Sequence, residues 1–209
     1  MDIKISIKSM GQYFMIPLLI NDILIPFVIL LIKTYGSKYN LGQGVYLLNQ
    51  MFVPFLASFW IFLHMTKYID AKGNECYYIA KRSKLPDVLK LFVLYILLNT
   101  PFFIWYCSLD AKYFMEWVHI VIMSFVFVSA AYCGCYVFKS ISLALIFPFL
   151  YLVASVTGLS SVLNKYSFYE YDGMSGEQLL NKYNIFMIVA ILFLIIGNKL
   201  NHRYEDYNL

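Results

Sequence analysis

The sequence predicts an all-α polytopic membrane protein: six transmembrane helices, both termini cytoplasmic, and a short amphipathic helix between the second and third spans. Three observations carry this expectation. Of 209 residues, 61% are hydrophobic and 13% charged, whereas an ordinary globular domain carries roughly a quarter charged residues. A chain this short cannot hide so much apolar surface in one soluble core, so the excess must face lipid. The apolar residues also gather into six stretches, most of them near the ~20 residues that a spanning helix needs. Finally, Lys and Arg are distributed unequally between the two sides that these stretches define.

Taken in order, the stretches run from Tyr13 to Ile32, Val45 to Met65, Leu89 to Leu109, Trp117 to Phe138, Ile141 to Leu159, and Ile185 to Gly197. The last is short. It reaches a full span by extending from Tyr183 to Lys199, whose ammonium snorkels to the interface. Ahead of the first span, Met1 to Gly11 holds two lysines and no apolar core followed by a small-residue cleavage site. It reads as a short amphipathic lead-in rather than a signal peptide, so the first span is expected to stay in the mature protein. No repeat, low-complexity linker or composition shift divides residues 1–209, which read as one transmembrane domain.

With the amino terminus inside, the inner set is Lys4, Lys8, Lys67, Lys72, Lys81, Arg82, Lys84, Lys90, Lys139, Lys199 and Arg203, and the outer set is Lys33, Lys38, Lys112, Lys165 and Lys182. Eleven against five favours both termini inside, in a multi-pass protein of the cell membrane. Tyrosine and tryptophan flank the expected boundaries, among them Tyr35, Tyr113 and Trp117 outside and Tyr68, Tyr77 and Tyr204 inside. The net charge of +4 lies beside apolar runs without forming an isolated basic face, so the expected partner is the lipid bilayer and not nucleic acid.

Polar residues inside apolar stretches are the first candidates for function. Asn21 and Asp22 fall within the first span, where an ionised carboxylate is costly unless it is paired or solvated. Alternatively, that span begins near Leu18 and leaves both residues a turn from the inner interface. Pro17 and Pro26 make a kink plausible in either case. His64, His119 and His202 are too far apart along the spans to meet at one metal and read as interface or interhelical residues. Cys133 and Cys135 point to different sides of one helix, and Cys76 and Cys107 belong to opposite faces, so no redox or zinc set results. Ala130 with Gly134 and Ala154 with Gly158 have the four-residue spacing that lets helices approach closely. Between Ser160 and Asn184, the residues Asp172, Gly173, Gly176 and Glu177 suggest a turn leading into a short interfacial helix.

The most polar stretch is Thr66 to Pro86, TKYIDAKGNECYYIAKRSKLP, the longest expected cytoplasmic connection. After Gly73, the run from Asn74 to Lys84 has good helix formers and no breaker. It groups Cys76, Tyr77, Ile79 and Ala80, with Glu75, Lys81, Arg82 and Lys84 as the charged complement, and it ends before Pro86. An amphipathic surface helix follows from this pattern, and such a helix can also simply rest on anionic headgroups.

The arrangement of Asp70, Lys72, Gly73, Glu75, Arg82 and Lys90 resembles that of the membrane subunits of ABC transporters, specifically the type-2 permeases of small bacterial exporters. The six-span layout, the amphipathic amino terminus and the longer outer segment before the last span share in the resemblance. It departs from the usual pattern in a slightly shorter segment from Gly73 to Lys90 and in Asn74, where a threonine is common. The resemblance implies a coupling helix docked in a groove of a separate ATP-binding cassette subunit. Tyr77, Tyr78 or Ile79 would anchor it, and Asp70, Glu75 and Arg82 would set its register. It also implies a second permease subunit to complete the pathway, and ATP and magnesium held by the partner. This chain has no G-x-x-x-x-G-K-S/T phosphate loop, so no cofactor or ATP hydrolysis is expected on it. Peptide is the first expected cargo, by analogy.

Two other functions fit the same length and hydropathy. One is an intramembrane peptide-processing cysteine protease using His64 and Cys76, with Asp70 as the orienting residue. The other is a membrane assembly factor without transport of its own.

Overall fold

The computed structural model describes residues 3–36, 38–70, 83–156, 169–170 and 175–207. The described residues form helices and connections, with no strand among them. Helix α1 (Ile3–Met10) buries Ser6 and Met10 and exposes Lys8. Gly11 then turns the chain with φ of +59°, a left-handed conformation that costs glycine little. From Gly11 to Tyr35 a continuous apolar rod follows, wound in three ways. A 3-10 turn (Gly11–Phe14) leads into α2 (Met15–Leu18), a π-helical segment (Leu19–Leu24), and α3 (Ile25–Tyr35). Pro26 has no N–H to offer the carbonyl of Asp22 four residues upstream, and the backbone widens to π geometry directly before it.

The remaining helices are α4 (Lys38–Ile69), α5 (Leu85–Leu109), α6 (Tyr113–Phe138), α7 (Ile141–Val156) and α8 (Gly176–Tyr207). Pro86 opens α5 in its first turn, where a missing N–H costs nothing. Asp110 stops that helix in extended backbone. Lys139, left-handed at φ 50°, ends α6.

Among the described residues, five helices are long and apolar enough to cross a membrane: Gly11–Tyr35, Leu41–Ile69, Leu85–Leu109, Tyr113–Phe138 and Gly176–His202. The chain is thus a helical membrane protein. The fifth expected stretch, from Ile141 to Leu159, appears as a shorter apolar helix over Ile141–Ala154. At 1.5 Å per residue, the 16 residues of α7 reach about 24 Å, less than the ~30 Å hydrocarbon core. Residues 157–159 of that stretch lie outside the described set. The final helix corrects the reading in the opposite direction. Expected as the shortest span, it is a 32-residue rod, because Glu177, Gln178, Asn181 and Lys182 continue the helix beyond the apolar run.

Two helices form the centre of the bundle. In the spans of α4 and α6, 67% of the most apolar window is buried, against 22% in the first and last spans. Helix α6 packs mainly between α4 and α8. In lipid the apolar side chains gain little by leaving the solvent, so close packing and interhelical hydrogen bonds must hold the helices together. Both are present. A Cβ on Gly197 of α8 would stand 2.8 Å from Cδ1 of Tyr132 and 3.1 Å from Cα of Cys133 on α6, so only glycine admits this approach. Gly134 plays a milder part, facing Ala144 of α7 at 3.5 Å. Trp60 of α4 stacks on Phe14 at 4.3 Å and donates its indole N–H to the Phe14 carbonyl at 3.1 Å.

Candidate functional site: polar clusters inside the bundle

Three groups of polar side chains lie within or against the spans. The first contains Asn21 and Asp22, both in the π-helical segment. Asn21 is buried and donates from Nδ2 to the hydroxyl of Tyr95 on α5, which in turn donates to the backbone carbonyl of Val53 on α4 at 2.7 Å. One chain of hydrogen bonds therefore joins the first, third and second spans. Pro54 lies inside α4 directly after Val53, and it has no N–H to offer the Gln50 carbonyl four residues upstream. Asp22 is half-buried and lies within electrostatic reach of Tyr95 and Tyr106. Its Oδ1 and the Oδ1 of Asn21 are buried without a hydrogen-bond partner among the described residues. The sequence alone leaves open whether these two residues sit in the span or near its end. Asn21 is packed in the bundle against two other spans.

The second group was not apparent from the sequence. Gln50 of α4 sits between Glu116 of α6 and the backbone of Glu170. Its Nε2 donates to Glu116 Oε1 at 2.8 Å and to the Glu170 carbonyl at 3.1 Å, and its Oε1 accepts from the Glu170 N–H at 2.9 Å. Every polar atom of that amide is used. Glu116 Oε2 lies 3.5 Å from Nδ1 of His119, and both side chains are essentially removed from solvent, at 2% and 0% exposure. The imidazole packs against the ring of Tyr183 on α8, with 4.6 Å between centroids. Next to it, Lys182 and the Glu170 carboxylate form an ion pair. Tyr169 is buried there, and burial pushes its phenol above the usual range. Glu116 falls one residue before the predicted fourth span, so a search for polar residues inside the apolar runs does not reach it. The available signals were its i, i+3 spacing to His119, which puts both on one helix face, and a glutamine inside an apolar run.

The third group lies at the opposite end of the bundle, at the base of the connection between α4 and α5. Asp70 is exposed at the end of α4, its N–H bonded to the Thr66 carbonyl at 3.0 Å. Gly73, Glu75, Cys76, Tyr77, Tyr78, Ile79 and Arg82 lie outside the described residues, and with them the expected amphipathic helix. Lys84, expected on the charged face of that helix, is instead fully buried just before α5. Its ammonium lies 5.2 Å from the ring of buried Tyr68, where a cation–π contact offsets part of its desolvation. Ser83 donates to Asn198 of α8 at 3.1 Å, and Tyr136 of α6 donates to Asn201 of α8. His64 is buried with its ring edge-on to Tyr68, 5.4 Å away.

The structure thus places His64 at this end and His119 near the other, as the spacing along the spans suggested. Cys107, Cys133 and Cys135 are free thiols. Among the described residues no group of three His, Cys, Asp or Glu converges as a metal site. No protein-family model, curated protein or solved structure matches the chain.

Proposed function

We propose that this chain is the membrane-spanning permease subunit of a transporter driven by a separate ATP-binding subunit, and that it exports a peptide or another amphipathic compound. Two permease subunits, identical or related, would enclose the pathway. The observation that supports this reading best is the anchoring of the polar connection. Where α4 ends and α5 begins, Tyr68 and Lys84 are buried against each other, and Ser83 is bonded to α8. A force applied between residues 70 and 84 would therefore act on three helices together, as a lever moved by an ATPase must. A loop that merely rested on headgroups would not need a buried cation at its base.

The test is purification in mild detergent. An ATP-binding subunit should co-purify, and substitution of Gly73 or Tyr78 should weaken the coupling of its ATPase to this chain. Absence of any ATPase partner would sink the proposal. The protease alternative makes a different demand: His64→Ala and Cys76→Ala would each abolish peptide processing, whereas neither should affect transport chemistry. An assembly factor would show neither ATPase coupling nor processing.

A further inference from the structure

The geometry points to the groove between α6, α7 and α8 as a binding site for one acyl chain of an anionic phospholipid, with Lys139 at its headgroup end. This inference does not depend on the transport reading.

The hairpin of α6 and α7 sets the shape. Lys139 ends α6 in left-handed backbone, and the Ser140 hydroxyl accepts from the Leu143 N–H at 3.5 Å as α7 begins, so the two helices run back along one another. Two aromatic pairs tie them together. Phe138 stacks on Phe147 near the turn, with 4.8 Å between centroids, and Phe127 meets the ring of Tyr151 edge-on at 5.9 Å further along. Helix α8 packs on α6 beside them and contributes Phe186, Val189 and Phe193 as a third wall. Between the three helices lies a cavity of about 490 Å³. Ala130 and Gly134 of α6 and Ala144 of α7 line it with small side chains that keep it deep. The four-residue spacing of Ala130 and Gly134 therefore opens a groove as well as admitting α7 at Gly134.

Three features choose the occupant. The first is chemistry: only Cys133 and Tyr151 bring side-chain polar atoms to the lining, so the groove offers little to a headgroup or a peptide backbone, and an apolar cavity stays dry. The second is size. From Val126 to Phe138 the groove follows α6 for about 18 Å, slightly more than half of the ~30 Å hydrocarbon core, which is the depth that one leaflet's acyl chains fill. Divided by that length, the volume leaves a mean width of about 6 Å. An α-helix with its side chains is about 10–12 Å across and does not enter. A single hydrocarbon chain does, since contacting carbons lie about 4 Å apart. The third is charge. Lys139 is exposed directly after Phe138, so a cation stands at one end of the groove, and a lysine near the membrane surface attracts anionic headgroups. A chain seated there touches protein on three sides, which a lipid lying against the convex face of one helix does not.

The experiment offers the purified full chain, in mild detergent, a choice between dioleoylphosphatidylglycerol and dioleoylphosphatidylcholine, and native mass spectrometry counts the lipids retained per chain. One phosphatidylglycerol should be held, about fivefold more tightly than phosphatidylcholine, the factor that one lysine near the surface contributes. Lys139→Gln should abolish that preference. Ala130→Phe fills the groove from α6 and Val189→Phe from α8, and either should lose the bound lipid. No lipid on the unmodified chain, equal retention of the two lipids, or unchanged retention in a folded filled variant would overturn the inference. So would a filled variant that alters only the fraction of dimer, which would mark the groove as a contact between two copies of this chain. If neither filled variant folds, a phosphatidylglycerol with a photoreactive diazirine in its acyl tail decides on the unmodified chain. Adducts concentrated on residues 126–138, 144–151 and 186–193 support the site, and adducts spread evenly over the five long helices overturn it.

Discussion

At the scale of single residues, membrane burial changes what a polar side chain is worth. Tyr95 accepts from Asn21 and donates to the Val53 carbonyl, so its hydroxyl joins three spans. Tyr95→Phe keeps the ring and removes both bonds, leaving the Asn21 amide donor unsatisfied. Interhelical hydrogen bonds in membrane bundles contribute roughly 0.6 kcal/mol on average and up to about 1.7. The substitution should therefore destabilise the bundle by about 1 kcal/mol, measured by denaturant titration in mixed micelles. Asn21→Leu should lose less, because it removes the donor along with its bond. Lys84 shows the limit of pattern reading at this scale. A lysine in a run of charged residues looks like a solvated face, yet this one is buried over Tyr68, and nothing in its immediate neighbours in the chain separates it from Lys81.

At the scale of elements, apolar runs located the helix centres well and their ends less well. A span ends in the sequence where hydropathy falls, but a helix ends where its backbone runs out of partners or meets a special conformation. Polar residues in α8 simply continued the helix, whereas Lys139 stopped α6 by turning left-handed. The seam between α6 and α8 rests on Gly197, where an added Cβ meets the backbone at Cys133 Cα as well as the Tyr132 ring. Since a backbone atom cannot swing aside, Gly197→Ala should cost about 1–3 kcal/mol and lower the thermal midpoint. The milder approach at Gly134, 3.5 Å from Ala144, should tolerate alanine with a smaller loss. The turn between α5 and α6 has a pH signature of its own. The Lys112 backbone N–H bonded to Asp110, at 3.1 Å, and the nearby Lys112 ammonium hold that carboxyl below its usual range. A lowered carboxyl stabilises the fold above the ordinary carboxylate range and loses that effect as pH falls through its folded value. Asp110→Asn should therefore reduce thermal stability slightly at neutral pH and make no difference in strong acid.

At the scale of the whole molecule, α4 and α6 form a buried centre, with a polar cluster near each end. Around Gln50 and Glu116 the bundle is closed by Glu170, and around Tyr68 and Lys84 it is tied to α8. The topology inferred from the positive residues puts the second of these ends in the cytoplasm. Reporter fusions at the carboxyl terminus test this: a green fluorescent protein should fluoresce there, and alkaline phosphatase should stay inactive. The opposite result would invert the bundle and remove the connection after α4 from reach of a cytoplasmic ATPase.

Composition and periodicity determined the solvent, the helical class and the approximate position of most spans, because these depend on sums over some twenty neighbouring residues and survive local exceptions. They also singled out Asn21 and Asp22, since polar atoms within an apolar run stand out wherever the helix points. Only the tertiary structure decided which polar residues meet. Glu116 and Glu170 lie 66 and 120 positions from Gln50, and their contact depends on how α4 and α6 are rotated about their axes. That rotation is set by small residues and hydrogen bonds at a few points of close approach, which a hydropathy pattern does not encode.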